Sequence, residues 1–336
     1  MHPALRQITV LSGGVGGARF VRGLRHGIAT GTLPGVPEDA TVTVVANTAD
    51  DWWLHGLKVC PDLDTLMYTL GDGIDTERGW GRRDETWHAR EELEAYGVDR
   101  AWFGLGDRDL ATHLVRTQMI DAGYPLSRVT EALCRRWRPG VRLLPMTDDR
   151  VETHLAVPDA ESPSGRRVVH FQEYWVRLRA EVPAETVVVV GLDDCSPAPG
   201  VVEALTEADL VVLPPSNPVV SVGTILGVPG VRDALAATRA PVVGVSPIIG
   251  GRHVHGMAQQ LLTTIGVEVS AGGVGRHYGS RSAGGVLDGW LVDESDADQL
   301  DGLRAAGLAA AAVPLMMTDD DATAAMAAAA VELVTR

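Results

Sequence analysis

A short apolar run at residues 7–11 leads directly into the glycine turn Ser12-Gly13-Gly14-Val15-Gly16-Gly17-Ala18, and an amphipathic pattern continues to about His26. Strand, glycine turn and helix start in immediate succession form the opening unit of a doubly wound sheet, and they constrain the fold more than any other feature of the chain. Residues 41–46 read as a second strand. Further on, residues 187–191, 210–214 and 242–246 are short β-branched runs, each followed by a polar turn rich in Gly or Pro, as buried parallel strands require. The expected fold class is α/β: a Rossmann-like, mostly parallel sheet flanked by helices. From about residue 65 to 140 the pattern is mostly helical, with apolar residues three and four apart in 86–96 and 109–122. We read 1–336 as a single α/β catalytic domain that carries 65–140 as a helical insertion or cap. The alanine-rich stretch 300–336 reads as helices packed on the sheet.

With 336 residues, 45% of them hydrophobic, the chain can bury a sizeable core. The first residues lack an apolar signal core and no apolar run is long enough to span a bilayer, so a cytoplasmic protein without membrane contact is expected. Cys60, Cys134 and Cys195 have no Cys-x-x-Cys spacing, which argues for free thiols and against a thiolate zinc site. A formal charge of −15 opposes general binding to nucleic acid, and an anionic substrate would need local positive charge or a metal. Lys58 is the one lysine of the chain, outside any Gly-Lys-Ser/Thr setting, so Walker-type ATPase chemistry is excluded.

Beyond the second strand, residues 47–65 place Asp50, Asp51, Asp62 and Asp64 within fifteen positions, around Trp52, Trp53 and His55. Carboxylates this close raise one another's pKa, so the cluster is either a solvated acidic loop or the seat of a cation or shared proton. Its place at the C-terminal end of a strand is the ligand edge of a doubly wound sheet. The glycine turn suits a phosphate, because its backbone N–H groups and the Ser12 hydroxyl stand at the positive end of a helix. The dinucleotide fingerprint is incomplete, since Arg19 stands where its third glycine or alanine belongs. Ser216 and Asn217 either cap a following helix or donate to an anion there. Asp107 and Asp109 read as helix caps. Arg135, Arg136, Arg138 and Arg142 read as a solvated helix face or as a substrate-phosphate contact. His253 and His255 lack zinc-ligand spacing. Together these turns suggest a nucleotide diphosphate lying across the glycine and Ser216-Asn217 turns, with a hard cation, Mg²⁺ or Mn²⁺, held by oxygen ligands for which Asp50 and Asp62 are suited. Phosphoryl transfer without a covalent enzyme intermediate follows.

The motifs Ser12-Gly-Gly-Val-Gly-Gly17, Asn47-Thr-Ala-Asp-Asp51, His55-Gly-Leu57, Pro61-Asp-Leu-Asp-Thr65, Leu105-Gly-Asp-Arg-Asp-Leu-Ala-Thr-His113, Pro145-Met-Thr-Asp-Asp149, His170-Phe-Gln172, Pro215-Ser-Asn-Pro218 and Ser246-Pro-Ile-Ile-Gly-Gly251 together resemble the 2-phospho-L-lactate transferase family of coenzyme F-420 biosynthesis. The arginine-rich composition resembles its actinobacterial phosphoenolpyruvate transferase branch. That resemblance implies Mg²⁺-dependent attack by the terminal hydroxyl of the deazaflavin Fo on enolpyruvyl- or lactyl-diphospho-5'-guanosine, giving dehydro-F-420-0 or F-420-0 and GMP. Carried over by residue, it places the metal on Asp50 and Asp62, with Asp51 and Asp64 as neighbours of undivided role. The diphosphate falls on Ser12, Gly13, Gly14, Gly16 and Gly17, and on Ser216 and Asn217. Asn47 falls in the substrate site, and Gly250 and Gly251 fall beside the base. Trp52 and His55 are placed near the deazaflavin or its hydroxyl, with core packing an equal reading for Trp52. Asp51, Asp64 and His55 are all candidates for a general base. Val15 departs from the threonine of many members and removes a hydroxyl. The family's homodimer is carried over as well. Two rivals are a nucleotide-sugar-binding regulator of the related gluconeogenesis-factor branch and an NAD-dependent oxidoreductase.

Overall fold

The protein is described here from a computed structural model covering residues 4–100, 102–254 and 256–335. Its strands, in chain order, are β1 (Gln7–Ser12), β2 (Thr41–Ala46), β3 (Trp52–Leu54), β4 (Leu57–Val59), β5 (Arg142–Pro145), β6 (Glu152–Pro158), β7 (Arg166–His170), β8 (Thr186–Val190), β9 (Leu210–Leu213), β10 (Val242–Val245), β11 (Ile248–Ile249), β12 (Arg252–His253), β13 (Gly289–Val292) and β14 (Ala309–Ala312). The helices are α1 (Gly14–Ala29), α2 (Pro61–Leu70), α3 (His88–Ala95), α4 (Asp107–Asp121), α5 (Leu126–Trp137), α6 (Val201–Thr206), α7 (Val222–Gly227), α8 (Val231–Ala237), α9 (Ala258–Thr264), α10 (Ala271–Tyr278), α11 (Leu300–Ala305) and α12 (Asp320–Thr335).

Seven strands form the central sheet in the order β14-β13-β10-β9-β1-β2-β5, every neighbouring pair parallel. Helices cover both faces, which is why β9 and β10 are apolar at every position rather than alternating. On one face, Phe20 and Leu24 of α1 pack with Leu66 and Met67 of α2 and with Met326 and Val331 of α12. The other face packs Val222 and Ile225 of α7, Leu235 of α8 and the buried Trp290, whose indole N–H donates to the Ala271 carbonyl at 2.9 Å. The chain steps outward from β1 to β2 and β5 in one direction, and from β9 to β14 in the other. The strand order therefore reverses between β1 and β9, and the crevice at their C-terminal ends is where such sheets bind ligands. Among the described residues, no helix is long and apolar enough to cross a membrane.

The expected α/β class is observed, with two corrections in detail. The sequence of the run at 187–191 fits a buried parallel strand. It forms β8 in a separate antiparallel sheet, β7-β6-β8, where Val188 and Val190 lie on an exposed face. A β-branched run satisfies either setting, because composition does not reveal whether the second face is covered. Within the alanine-rich C-terminal stretch, residues 309–312 are not helical. They form the edge strand β14, paired with β13 from Gly289↔Ala309 to Val292↔Ala312, where ladder hydrogen bonds override the helix preference of alanine. Trp290 fills the space between β10 and α10 with no exposed surface. Trp290→Ala is expected to lower stability by about 3–5 kcal/mol, read from urea denaturation.

Candidate active site

Four loops meet at the C-terminal edge of the sheet. The first is the glycine turn. β1 ends at Ser12, whose hydroxyl is buried without a hydrogen-bond partner. α1 then begins at Gly14, in the left-handed region at φ +65°, with neither a side-chain cap nor an acidic residue in its first turn. The Gly13 amide donates to Ser216 and the Gly14 amide to Asp62, which leaves the Val15 and Gly16 amides, at the positive end of a sixteen-residue helix, as a ready seat for an anion. The second loop, after β9, is tied to the first: the Ser216 hydroxyl donates to the Gly13 carbonyl at 2.8 Å and lies 3.2 Å from the Gly13 amide. A Cβ on Gly17 would collide with both the Ser12 and Ser216 hydroxyls, so glycine is required there for the turns to close on each other. Asn217 accepts from the amides of Val219 and Val220 at 2.9 and 3.2 Å, so its carbonyl oxygen caps the turn leading to α7.

The third loop, after β2, carries the acidic cluster, and it is not solvated. Asp50, Asp51, Asp62 and Asp64 are all buried. Their surroundings divide them into two kinds. Asp51 meets the Lys58 ammonium at 3.3 Å, across the hairpin formed by β3 and β4. Asp64 is bound by the Arg116 guanidinium of α4, which also reaches His113 Nδ1 at 3.1 Å and the Lys58 carbonyl at 3.3 Å. His113 Nε2 lies 3.3 Å from Asp109, which also accepts from the Tyr68 hydroxyl. Asp64, Asp109 and His113 are close enough to hold a metal, but Arg116 already supplies positive charge there. Asp50 and Asp62 are different: among the described residues, neither has an ion pair with a cationic side chain. Asn47 donates to Asp62 at 2.9 Å, and its own carbonyl is held by Thr224 at 2.7 Å and the Ala49 amide at 3.0 Å. Unpartnered oxygens do not make the distinction, since Asp50 Oδ1, both carboxylate oxygens of Asp51 and Asp64 Oδ2 all lack a hydrogen-bond partner; the missing cationic side chain does.

These settings decide the proton affinities. Burial, then the charges of Asp62 and Asp51, hold the Asp50 carboxyl well above the usual carboxylate range. Asp62 is pushed up to about 6, first by burial and then by Asp51, against the hydrogen bond from Asn47. Burial also raises Asp51 and Asp64, but Lys58 opposes it at the first and Arg116 at the second. Two buried carboxyls without a countercharge are a donor set suited to a hard divalent cation.

Other candidate residues lie at varying distance from this centre. Trp52 is packed in a small apolar cluster with Leu54, Val59 and Leu105, against Trp102 and Phe103. His55 and Gly56, at φ +51° and +77°, form the two-residue turn of the β3–β4 hairpin, and His55 is exposed at its tip. The fourth loop carries Gly250 and Gly251, which turn the β11–β12 hairpin in the left-handed region, with the Gly250 amide held by Asp296 at 2.9 Å. Asp107 caps a helix, but it is α3, through the amides of His88 and Ala89. The first amides of α4 are held by Glu85, and Asp109 belongs to the buried network. Arg135, Arg136, Arg138 and Arg142 are exposed, Arg135 pairing with Glu131. His255 lies outside the described residues. Lys58, Arg116 and Thr224 carry roles that sequence reasoning did not assign; the rarity of lysine was the one available signal.

A family model described as 2-phospho-L-lactate transferase CofD matches residues 8–332. The chain is 63% identical over 327 residues to a protein of Streptomyces coelicolor named phosphoenolpyruvate transferase, covering 97% of this chain and 98% of that one. A Thermobifida fusca protein of the same name is 60% identical over 331 residues, with 97% of each chain covered. In structure, the fold is similar to a Bacillus halodurans protein solved by X-ray crystallography, with a TM-score of 0.60, 18% identity and coverage of 98% of this chain and 99% of that one.

Without a cation, folding favours the protonated form of Asp62, whose carboxyl rises from 3.8 to about 6. That contribution to stability is present below the unfolded value and is lost as pH rises through about 6. Mg²⁺ is therefore expected to raise the melting temperature by a few degrees at neutral pH and hardly at all near pH 5, measured by scanning calorimetry. An equal shift at both pH values would count against the pair as a cation site.

Proposed function

The chain belongs to the 2-phospho-L-lactate transferase family, and we propose that it transfers a phosphoenolpyruvyl group from enolpyruvyl-diphospho-5'-guanosine to the terminal hydroxyl of the deazaflavin Fo, releasing GMP. It is an enzyme, and the coarser activity, a phosphoenolpyruvyl or lactyl transferase of coenzyme F-420 biosynthesis, follows from membership and from relatives at 56–63% identity. The names of those relatives favour the enolpyruvyl donor over the lactyl one. The single observation that carries the mechanism is the uncompensated pair Asp50 and Asp62 beside the uncapped start of α1.

In this reading the donor's diphosphate lies on the free amides of Val15 and Gly16, with the Ser12 hydroxyl available as a further donor and the Gly14 amide directed at Asp62. Asp50 and Asp62 would hold Mg²⁺, which neutralises charge on the transferred phosphoryl group and on the leaving phosphate. Asn47 fixes the Asp62 carboxylate from the side, so that one oxygen is oriented before any ligand enters. Lys58 and Arg116 engage Asp51 and Asp64, which leaves those two to shape the field of the site. The acceptor hydroxyl forms the new O–P bond, the bridging P–O bond breaks with its electron pair leaving on GMP, and the hydroxyl proton passes to solvent or to the released GMP phosphate. Positioning and charge stabilisation account for most of the rate in such transfers.

Asp50→Asn and Asp62→Asn each remove one charge at nearly constant volume. Both are expected to lower kcat by at least about 100-fold, the scale of losing one preorganised electrostatic contact, with the far-UV spectrum unchanged. His55→Ala, at the exposed hairpin tip, is expected to keep activity within a few-fold. Full activity in either aspartate variant, assayed by GMP release with Fo present, would remove the cation assignment. Removal of divalent ions by EDTA is expected to abolish turnover, and Mg²⁺ to restore it; activity that survives EDTA would require another electrophile.

A further inference from the structure

The sheet β7-β6-β8 lies outside the central sheet and contributes no residue to the candidate cation pair, yet it grips the acidic loop at four consecutive positions. The Thr153 amide of β6 donates to the Ala49 carbonyl at 2.6 Å. Gln172 Nε2, just beyond β7, donates to the Asp50 carbonyl at 3.1 Å. His170, the last residue of β7, lies with Nε2 3.3 Å from the Asp51 carbonyl. Its ring stacks on Trp52, with centroids 5.3 Å apart and planes 11° from parallel. The tautomer follows from the contacts. His170 Nδ1 accepts from the Gln172 amide at 3.1 Å, so Nε2 carries the proton and donates to the Asp51 carbonyl. Burial, then the neighbouring His154, pull the imidazole down to about 4, which keeps it neutral near pH 7.

Phe171, between the two gripping side chains, is buried with Leu155, Val169 and Tyr174. The same small core includes Val220, at the end of the turn that begins with Ser216 and Asn217. One rigid body therefore touches both the acidic loop and the anion-type turn opposite it. A backbone carbonyl held from outside fixes the Cα beside it, and the carboxylate that projects from that Cα, three bonds from the carbonyl carbon, is anchored with it.

We propose that this three-stranded sheet is a clamp that sets the position of the Asp50 carboxylate, with Gln172 and His170 as positioning residues that fix the carbonyls of Asp50 and Asp51. The kinetic consequence rests on the transferase reading above; the mechanical one does not. Gln172→Met keeps the side chain's shape and loses the donor. His170→Phe keeps the stack and loses the donor, whereas His170→Gln returns an N–H at a similar reach.

The test pairs hydrogen–deuterium exchange of the ligand-free protein with steady-state kinetics. In Gln172→Met and His170→Phe, amides of the segment 47–54 are expected to exchange faster while those of β1 and β9 do not. kcat is expected to fall about 10- to 100-fold, the penalty of a small misplacement, with KM little changed. His170→Gln should recover much of both. Val168→Ala, on the exposed face of β7, serves as the control and should alter neither. Unchanged exchange in the loop overturns the clamp, whatever happens to kcat, because a rate loss alone would mean that the two side chains act on substrate directly. Faster exchange with wild-type kcat overturns the positioning role. If the wild-type protein failed to transfer to Fo, the exchange result would still decide the clamp, so the two readings fail separately.

Discussion

Burial of carboxylates without enough buried cations is the constraint on which the rest of this structure depends. Asp50, Asp51, Asp62 and Asp64 lie within fifteen residues and all are withdrawn from water. A buried charge costs several kcal/mol after relaxation unless it is paired. Lys58 and Arg116 meet that cost at Asp51 and Asp64, and the network continues from Arg116 through His113 to Asp109 and Tyr68. Among the described residues no cationic side chain does the same for Asp50 and Asp62, so burial raises their proton affinity instead and leaves the cost to be met by a bound cation. Together they lie where the sheet's strand order reverses and where α1 presents its amides, so the fold delivers charge hunger and phosphate affinity to one place.

The helical region between β4 and β5 gains its meaning from the same constraint. α4 carries Asp109, His113 and Arg116 at spacings of four and three, which puts them on one face. That face meets Asp64 and Tyr68 of α2 and the backbone of Lys58. The Lys58 amide is bonded in turn to Thr117 at 2.9 Å. This helix is thus an internal counterion for the acidic loop as well as a cover for it. On the opposite side, β6 and the end of β7 hold the loop's backbone, so charge is balanced from one flank and geometry fixed from the other.

Much of this was legible in the sequence because the signals are local. The glycine turn, the strands at 41–46, 210–214 and 242–246, and the acidic cluster each announce themselves within a few residues. What was not legible depends on partners far along the chain. Arg116 reaches Asp64 across 52 positions, and Gln172 reaches Asp50 across 122. Lys58 stood out as a lone lysine, but nothing local says that Asp51 is its partner rather than a metal ligand. The division of the four aspartates into two that are paired and two that are not is a tertiary fact. The β8 run erred for a related reason: whether a second face is covered is decided by the rest of the molecule.

The central claim is that the uncompensated charge, and with it the divalent cation, belongs to Asp50 and Asp62. Anomalous diffraction from crystals of the wild-type protein grown with Mn²⁺ and GDP tests it most directly. The account predicts one manganese peak within bonding distance of carboxylate oxygens of both Asp50 and Asp62. A peak on Asp51, or on the Asp64, Asp109 and His113 cluster with Asp50 and Asp62 left unbound, would contradict it.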